Sequence, residues 1–149
     1  MNPEARYETK RLDHLGIVAG ICHEINLMEQ INRAVGASER KVSCGAAVQA
    51  MVPNALGFTS RALYLIPQYM HNKPVDLLIG PELVAEDFND DTLGRSLDRL
   101  FEVGVTEVFA KVAAHALQIY GIEHHFYHLD SRFSSARAVL GAGSGQPDD

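Results

Sequence analysis

The feature that most constrains this chain is a pair of apolar helical stripes joined at a glycine. Asn89-Asp90-Asp91-Thr92 offers several N-cap side chains, and its acids suit the positive end of a helix dipole. Leu93, Leu97, Leu100 and Phe101 then recur at i, i+4, i+7 and i+8, which places them on one face of a helix directed at a core. Gly104 ends that helix. A second follows, in which Val105, Val108, Phe109, Val112, Ala113, Ala116 and Tyr120 share a face, and Gly121 closes it. The expectation is a helical hairpin, which makes the chain mainly α.

The residues before the hairpin extend that reading. Asp13 or His14 precedes an apolar run over 15–25 at helical spacing, Asn26 interrupts it, and Leu27, Ile31, Ala34 and Val35 form a second helical face stopped by Gly36. Ser43 is the expected N-cap of a helix over 44–56, which Pro53 should kink or break early, because proline removes a backbone hydrogen bond and clashes with the preceding turn. A further helix is predicted over 60–71. Pro74, Gly80 and Pro81 restrict 72–86 to short helical turns. Tyr7 to Leu12 read as a short strand or an arm. The period changes again at 122–130, where the aromatic-rich run Ile122-Glu123-His124-His125-Phe126-Tyr127-His128-Leu129-Asp130 reads as a strand. The tail over 136–149 has a flexible, Gly-rich composition. The sum is a multi-helical domain of about five to seven helices over 1–121, a terminal strand within 122–135, and the tail.

Charge divides the chain. Residues 1–75 carry eight Lys and Arg against six Asp and Glu, whereas residues 76–131 carry three against eleven. With a net charge of −6, the chain is no uniformly basic nucleic-acid binder. A DNA surface would have to lie in the first half, at Lys10, Arg11, Arg33, Arg40, Lys41 and Arg61, because phosphate contacts need local positive potential. Solvated helix faces produce the same counts. The helices over 43–57 and 60–71 could pair as a helix-turn-helix, although the second is mostly apolar and poor in side chains that read base edges.

The remaining chemistry is sparse. Cys22 and Cys44 are two separated thiols in apolar helices, neither a disulfide framework nor a zinc set, and they suit a reducing cytoplasm. The start of the chain lacks the apolar core of a signal peptide, and no apolar run reaches the ~18 residues of a membrane span. His124, His128 and Asp130 alternate onto one strand face, a pattern that more often decorates a strand than binds a metal. Asp90 and Asp91 read as capping acids rather than a catalytic pair. His23-Glu24 lacks the second histidine of a zinc-peptidase motif.

Four segments occur in order: Arg11-Leu12-Asp13-His14-Leu15-Gly16-Ile17-Val18-Ala19-Gly20-Ile21-Cys22, Asn54-Ala55-Leu56-Gly57-Phe58, Asn89-Asp90-Asp91-Thr92-Leu93-Gly94 and His128-Leu129-Asp130-Ser131. In this register the chain resembles the N-terminal region of bacterial insertion-sequence transposases of the DDE (RNase H-like) class, the branch with a domain of unknown function ahead of the catalytic core. The resemblance implies that Asp130 is the first of three acidic metal ligands. Three such carboxylates hold two Mg²⁺ ions, which activate the attacking oxygen and stabilise the leaving one during strand cleavage and transfer. Here Ser131-Arg132-Phe133-Ser134-Ser135 replaces the usual Thr/Ser-rich strand, and the other two acids are missing. The expectation is therefore a transposase-derived fragment that binds terminal-repeat DNA (through Lys10, Arg11, Arg40, Lys41 and Arg61), forms a homo-oligomer, or both. It would use no cofactor of its own and be catalytically inert alone. The alternative is a free-standing helical interaction or regulatory protein that shares the module.

Overall fold

A computed structural model describes residues 9–36, 38–58 and 61–122. These form seven α-helices and no strand: α1 (Leu15–Glu24), α2 (Leu27–Val35), α3 (Cys44–Ala55), α4 (Ile66–Met70), α5 (Val75–Leu78), α6 (Asp90–Val103) and α7 (Val105–Ile119), with 3₁₀ turns at Leu63–Leu65 and Ala85–Phe88. The mainly α expectation holds for them. Residues 9–12 carry no regular structure, so no N-terminal strand forms there, and Ile122 is not in a strand. The rest of the expected strand at 122–130, and the tail, lie outside the described residues.

α3 is the axis of the domain. Ser43 caps it as expected: its side chain accepts a hydrogen bond from the Ala46 N–H at 3.1 Å. Ala46, Ala47 and Ala50 are buried on one face of the helix, and these small side chains let neighbouring elements approach. Around them gather Leu15 and Ala19 of α1, Ile66 and Met70 of α4, Val75 and Leu78 of α5, then Phe88 and Leu93. Cys44, with Val48 and Val52 partly buried, joins a second cluster with Cys22, Leu27, Ile31, Val35 and Val108. Both thiols are thus buried and free, and burial pushes their pKa values up. They pack as small hydrophobes.

Gly45 is required where α2 and α3 meet. A Cβ there would stand 2.7 Å from the Met28 Cα and 2.8 Å from its carbonyl carbon, closer than any side chain tolerates. Asn32 secures the contact, accepting from the Gly45 N–H at 2.8 Å and donating to Ser43 Oγ at 3.1 Å. Asn26 makes the tight link between α1 and α2 in the left-handed conformation (φ 50°, ψ 40°), which asparagine adopts more readily than most residues.

Three expectations need correction. Pro53 does not break α3 early, since the helix runs two residues beyond it to Ala55. The helix predicted over 60–71 is instead a 3₁₀ turn followed by the five-residue α4. Pro67 explains the division: it has no N–H to donate to a preceding turn and is tolerated in the first turn of a helix, where it stands in α4. With Ile66 and Met70 buried, that segment is no exposed recognition helix. Finally, the stripe on α6 does not all face the core. Leu93 is fully buried, but Leu97 is 41 % and Phe101 80 % exposed.

Candidate functional site

The hairpin exposes several large apolar side chains. Asn89 caps α6, accepting from the Thr92 N–H at 2.9 Å, and Gly104 (φ 100°) separates α6 from α7. Val108 alone on α7 is buried, while Val105 is 56 % and Phe109 62 % exposed. Leu97, Phe101, Val105 and Phe109 follow one another every four residues across the junction, each with its apolar surface in water. Two exposed apolar pairs, Leu97 and Phe101 on α6 and Val105 and Phe109 on α7, thus flank Gly104, and exposed apolar surface of this kind is where interaction sites form. Asp98 and Glu102 stand exposed beside the stripe and carry no ion pair among the described residues.

At its far end, α7 is tied to α1 by Tyr120, whose hydroxyl donates to Glu24 Oε2 at 2.8 Å. That hydrogen bond raises the phenol's pKa, since ionising Tyr120 would remove the proton it donates and set two negative charges together.

The cations expected to touch DNA are all exposed, but the structure does not bring all five to one groove. Arg40 and Lys41 line a cleft of about 490 Å³ between the α2–α3 loop and α6, with Arg95 and Arg99. Glu86, Asp87, Asp98 and Glu102 line the same cleft, so its formal charges cancel. Lys41 is committed to Asp87 at 2.7 Å. Burial raises the pKa of Asp87, but the hydrogen bond and charge of Lys41, with the Val84 N–H, outweigh it and hold the carboxyl below its ordinary range. Lys10 lines a second groove with His71, Lys73 and Glu86, and Arg11 pairs with Asp13 at 3.6 Å. Arg61 lines neither; its backbone is clamped by the Asn54 side chain through two bonds of 2.8 Å. Arg33 pairs with Glu29 one turn earlier on α2.

Sequence reasoning missed Arg99. Its guanidinium donates twice to the Val35 carbonyl, at 2.9 and 3.2 Å, and so covers the negative end of α2 from 64 residues away. An isolated arginine on a helix gives no sign of such a partner.

Asp130 lies outside the described residues. Among those described, no group of three or more His, Cys, Asp or Glu side chains is placed to hold a metal ion.

A family model described as a domain of unknown function, DUF4277, matches residues 7–114. The chain belongs to the DUF4277 family. The match takes in all of α1 to α6 and most of α7, so the stripe at Leu97, Phe101, Val105 and Phe109 is part of the DUF4277 domain rather than an appendage. No curated protein and no solved structure matches this DUF4277 chain. Among its described residues no helix is long and apolar enough to cross a membrane.

Proposed function

We propose that this DUF4277 chain is the helical front of a DDE-class transposase and that its described domain works by assembly, pairing with a second copy of itself, rather than by catalysis. The observation that carries the assembly role is the exposed stripe Leu97, Phe101, Val105 and Phe109. Burying an aromatic or aliphatic side chain contributes roughly 1.5–3 kcal/mol, so four such residues from each of two copies supply a driving force on the scale that stable association needs. The transposase part rests on the four segments in register, three of which fall inside the family match over 7–114.

Sedimentation velocity tests the assembly reading directly. The wild-type chain should sediment as a dimer at micromolar concentration, and Phe101→Asp with Phe109→Asp as a folded monomer. A wild-type monomer across that range would sink it. Genomic context tests the ancestry. Flanking inverted repeats, or a frame encoding RNase H-like strands with two further acids, mark a transposase; an intact operon without element boundaries marks a free-standing interaction protein.

A second reading, DNA contact by the first-half cations, is favoured by Lys10 and Arg40. Each is exposed, each lines a groove that Glu86 also lines, and neither has an ion-pair partner among the described residues. A titration of the element's end sequence would then show affinity falling steeply with salt.

A further inference from the structure

We infer that the groove between α2 and α7 is an oxyanion site shaped for a phosphate group. It goes beyond the assembly reading and does not depend on it. The groove has a volume of about 410 Å³ and is lined by Arg33, Lys111 and His115, with the amides of Gln30 and Gln118. No carboxylate belongs to its lining. The two other grooves that hold cations have carboxylates in their lining; here the acids that pair with Arg33 and Lys111 stand one turn back on each helix, outside the groove.

The helices make room for a ligand by carrying small residues where they face each other: Ala34 on α2 and Ala114 on α7 line the same groove. Long side chains on both sides can then close over a guest. Arg33 offers a planar fork of donors and Lys111 a compact charge, the two chemistries that bind phosphate oxygens. The amides add donors that need no counter-charge.

Two further observations point the same way. His115, one of the lining residues, has its Nε2 buried without a hydrogen-bond partner among the described residues. The carbonyl end of α2, which would repel an anion, is already covered by Arg99. The cations are not idle in the free protein: Arg33 is held by Glu29 and Lys111 by Glu107 at 2.7 Å. Both are exposed pairs between residues four apart on a helix, a class that contributes little and that a doubly charged phosphate can displace. Glu29 and Glu107 thus compete with the ligand.

The test uses the full chain and two probes at low salt, inorganic pyrophosphate by calorimetry and a fluorescent duplex of about 20 base pairs by anisotropy. Arg33→Gln with Lys111→Gln should weaken the bound probe by at least about tenfold, the loss expected for charge-assisted contacts. Arg95→Gln, a charge outside this groove, should leave it within about twofold, and Glu29→Gln should tighten it by freeing Arg33. Pyrophosphate alone binding identifies a free phosphate ligand. Duplex binding that pyrophosphate competes away identifies a nucleic-acid backbone. Binding of neither probe, or equal affinity in the Arg33/Lys111 variant, overturns the inference. Because both substituted side chains are exposed, circular dichroism and the urea midpoint of that variant should match wild type. The Phe101→Asp, Phe109→Asp variant should keep the site, so failure of assembly and failure of anion binding are read separately.

Discussion

Lys73 and Asp13, sixty residues apart in sequence, meet at 2.7 Å, with the lysine buried and the carboxylate at the lead-in to α1. Asp13 adopts a positive φ of 49°, and the Lys73 ammonium also lies 5.5 Å from the centre of the Tyr69 ring. The pair fastens the start of the domain to the turn between α4 and α5. The Lys73 hydrogen bond, opposed by desolvation and helped by the lysine's charge, holds the Asp13 carboxyl below its ordinary range.

A carboxyl whose folded pKa is depressed contributes stability that is present above its unfolded pKa and lost as pH falls through the folded one. The urea midpoint should therefore decline as pH drops below the ordinary carboxylate range, and Asp13→Asn should remove part of that decline. At neutral pH the same variant should be less stable, because it strands a buried ammonium. Asp13→Asn with Lys73→Met should recover much of the loss. If the single variant unfolds at the wild-type midpoint from neutral to acid pH, the pair does not hold the fold.

Gly45→Ala should destabilise the domain by about 1–3 kcal/mol, because the methyl group meets the Met28 backbone, which cannot swing aside as a side chain could. Gly20→Ala is the internal contrast. It lies inside α1 with open space around it, so alanine should raise stability by roughly 0.5–1 kcal/mol through helix propensity. Urea unfolding of both variants checks the sign of each effect.

The contrast also shows where the sequence was readable. Ser43, Asn89, Gly36 and Gly104 act within a few residues of themselves, and their roles at helix ends follow from local chemistry. Leu97 and Phe101 have the same helical spacing as buried Leu93, yet they face water. Periodicity says which residues share a face, not whether anything covers it. Pro67 was decisive for α4, but the apolar pattern around it masked the signal. The anion groove was least legible, since Arg33 and Lys111 come to line one groove only when α7 packs beside α2.

Asn32 should matter more than its position on a helix surface suggests. Ser43→Ala removes one cap and should cost about 1 kcal/mol. Asn32→Ala strands the Gly45 N–H and removes a bond to Ser43 together, so it should cost more, about 1–3 kcal/mol. The double variant should lose less than the sum, because the two side chains share a network. Additive losses in a double-mutant cycle would show that they act separately.

Salt should separate the two roles of the surface. Dimerisation through Leu97, Phe101, Val105 and Phe109 brings the exposed carboxylates Asp98 and Glu102 of each copy toward those of the other. Raising ionic strength from about 0.05 to 0.5 M shortens the Debye length to a few ångströms and screens that repulsion, while apolar burial does not weaken. The dimer should therefore tighten or hold as salt rises. Phosphate binding at Arg33 and Lys111 should move the other way, because released counterions oppose it. Sedimentation equilibrium and anisotropy across one salt series measure both. Dissociation of the dimer by salt would mean that charge, not the apolar stripe, holds the copies together.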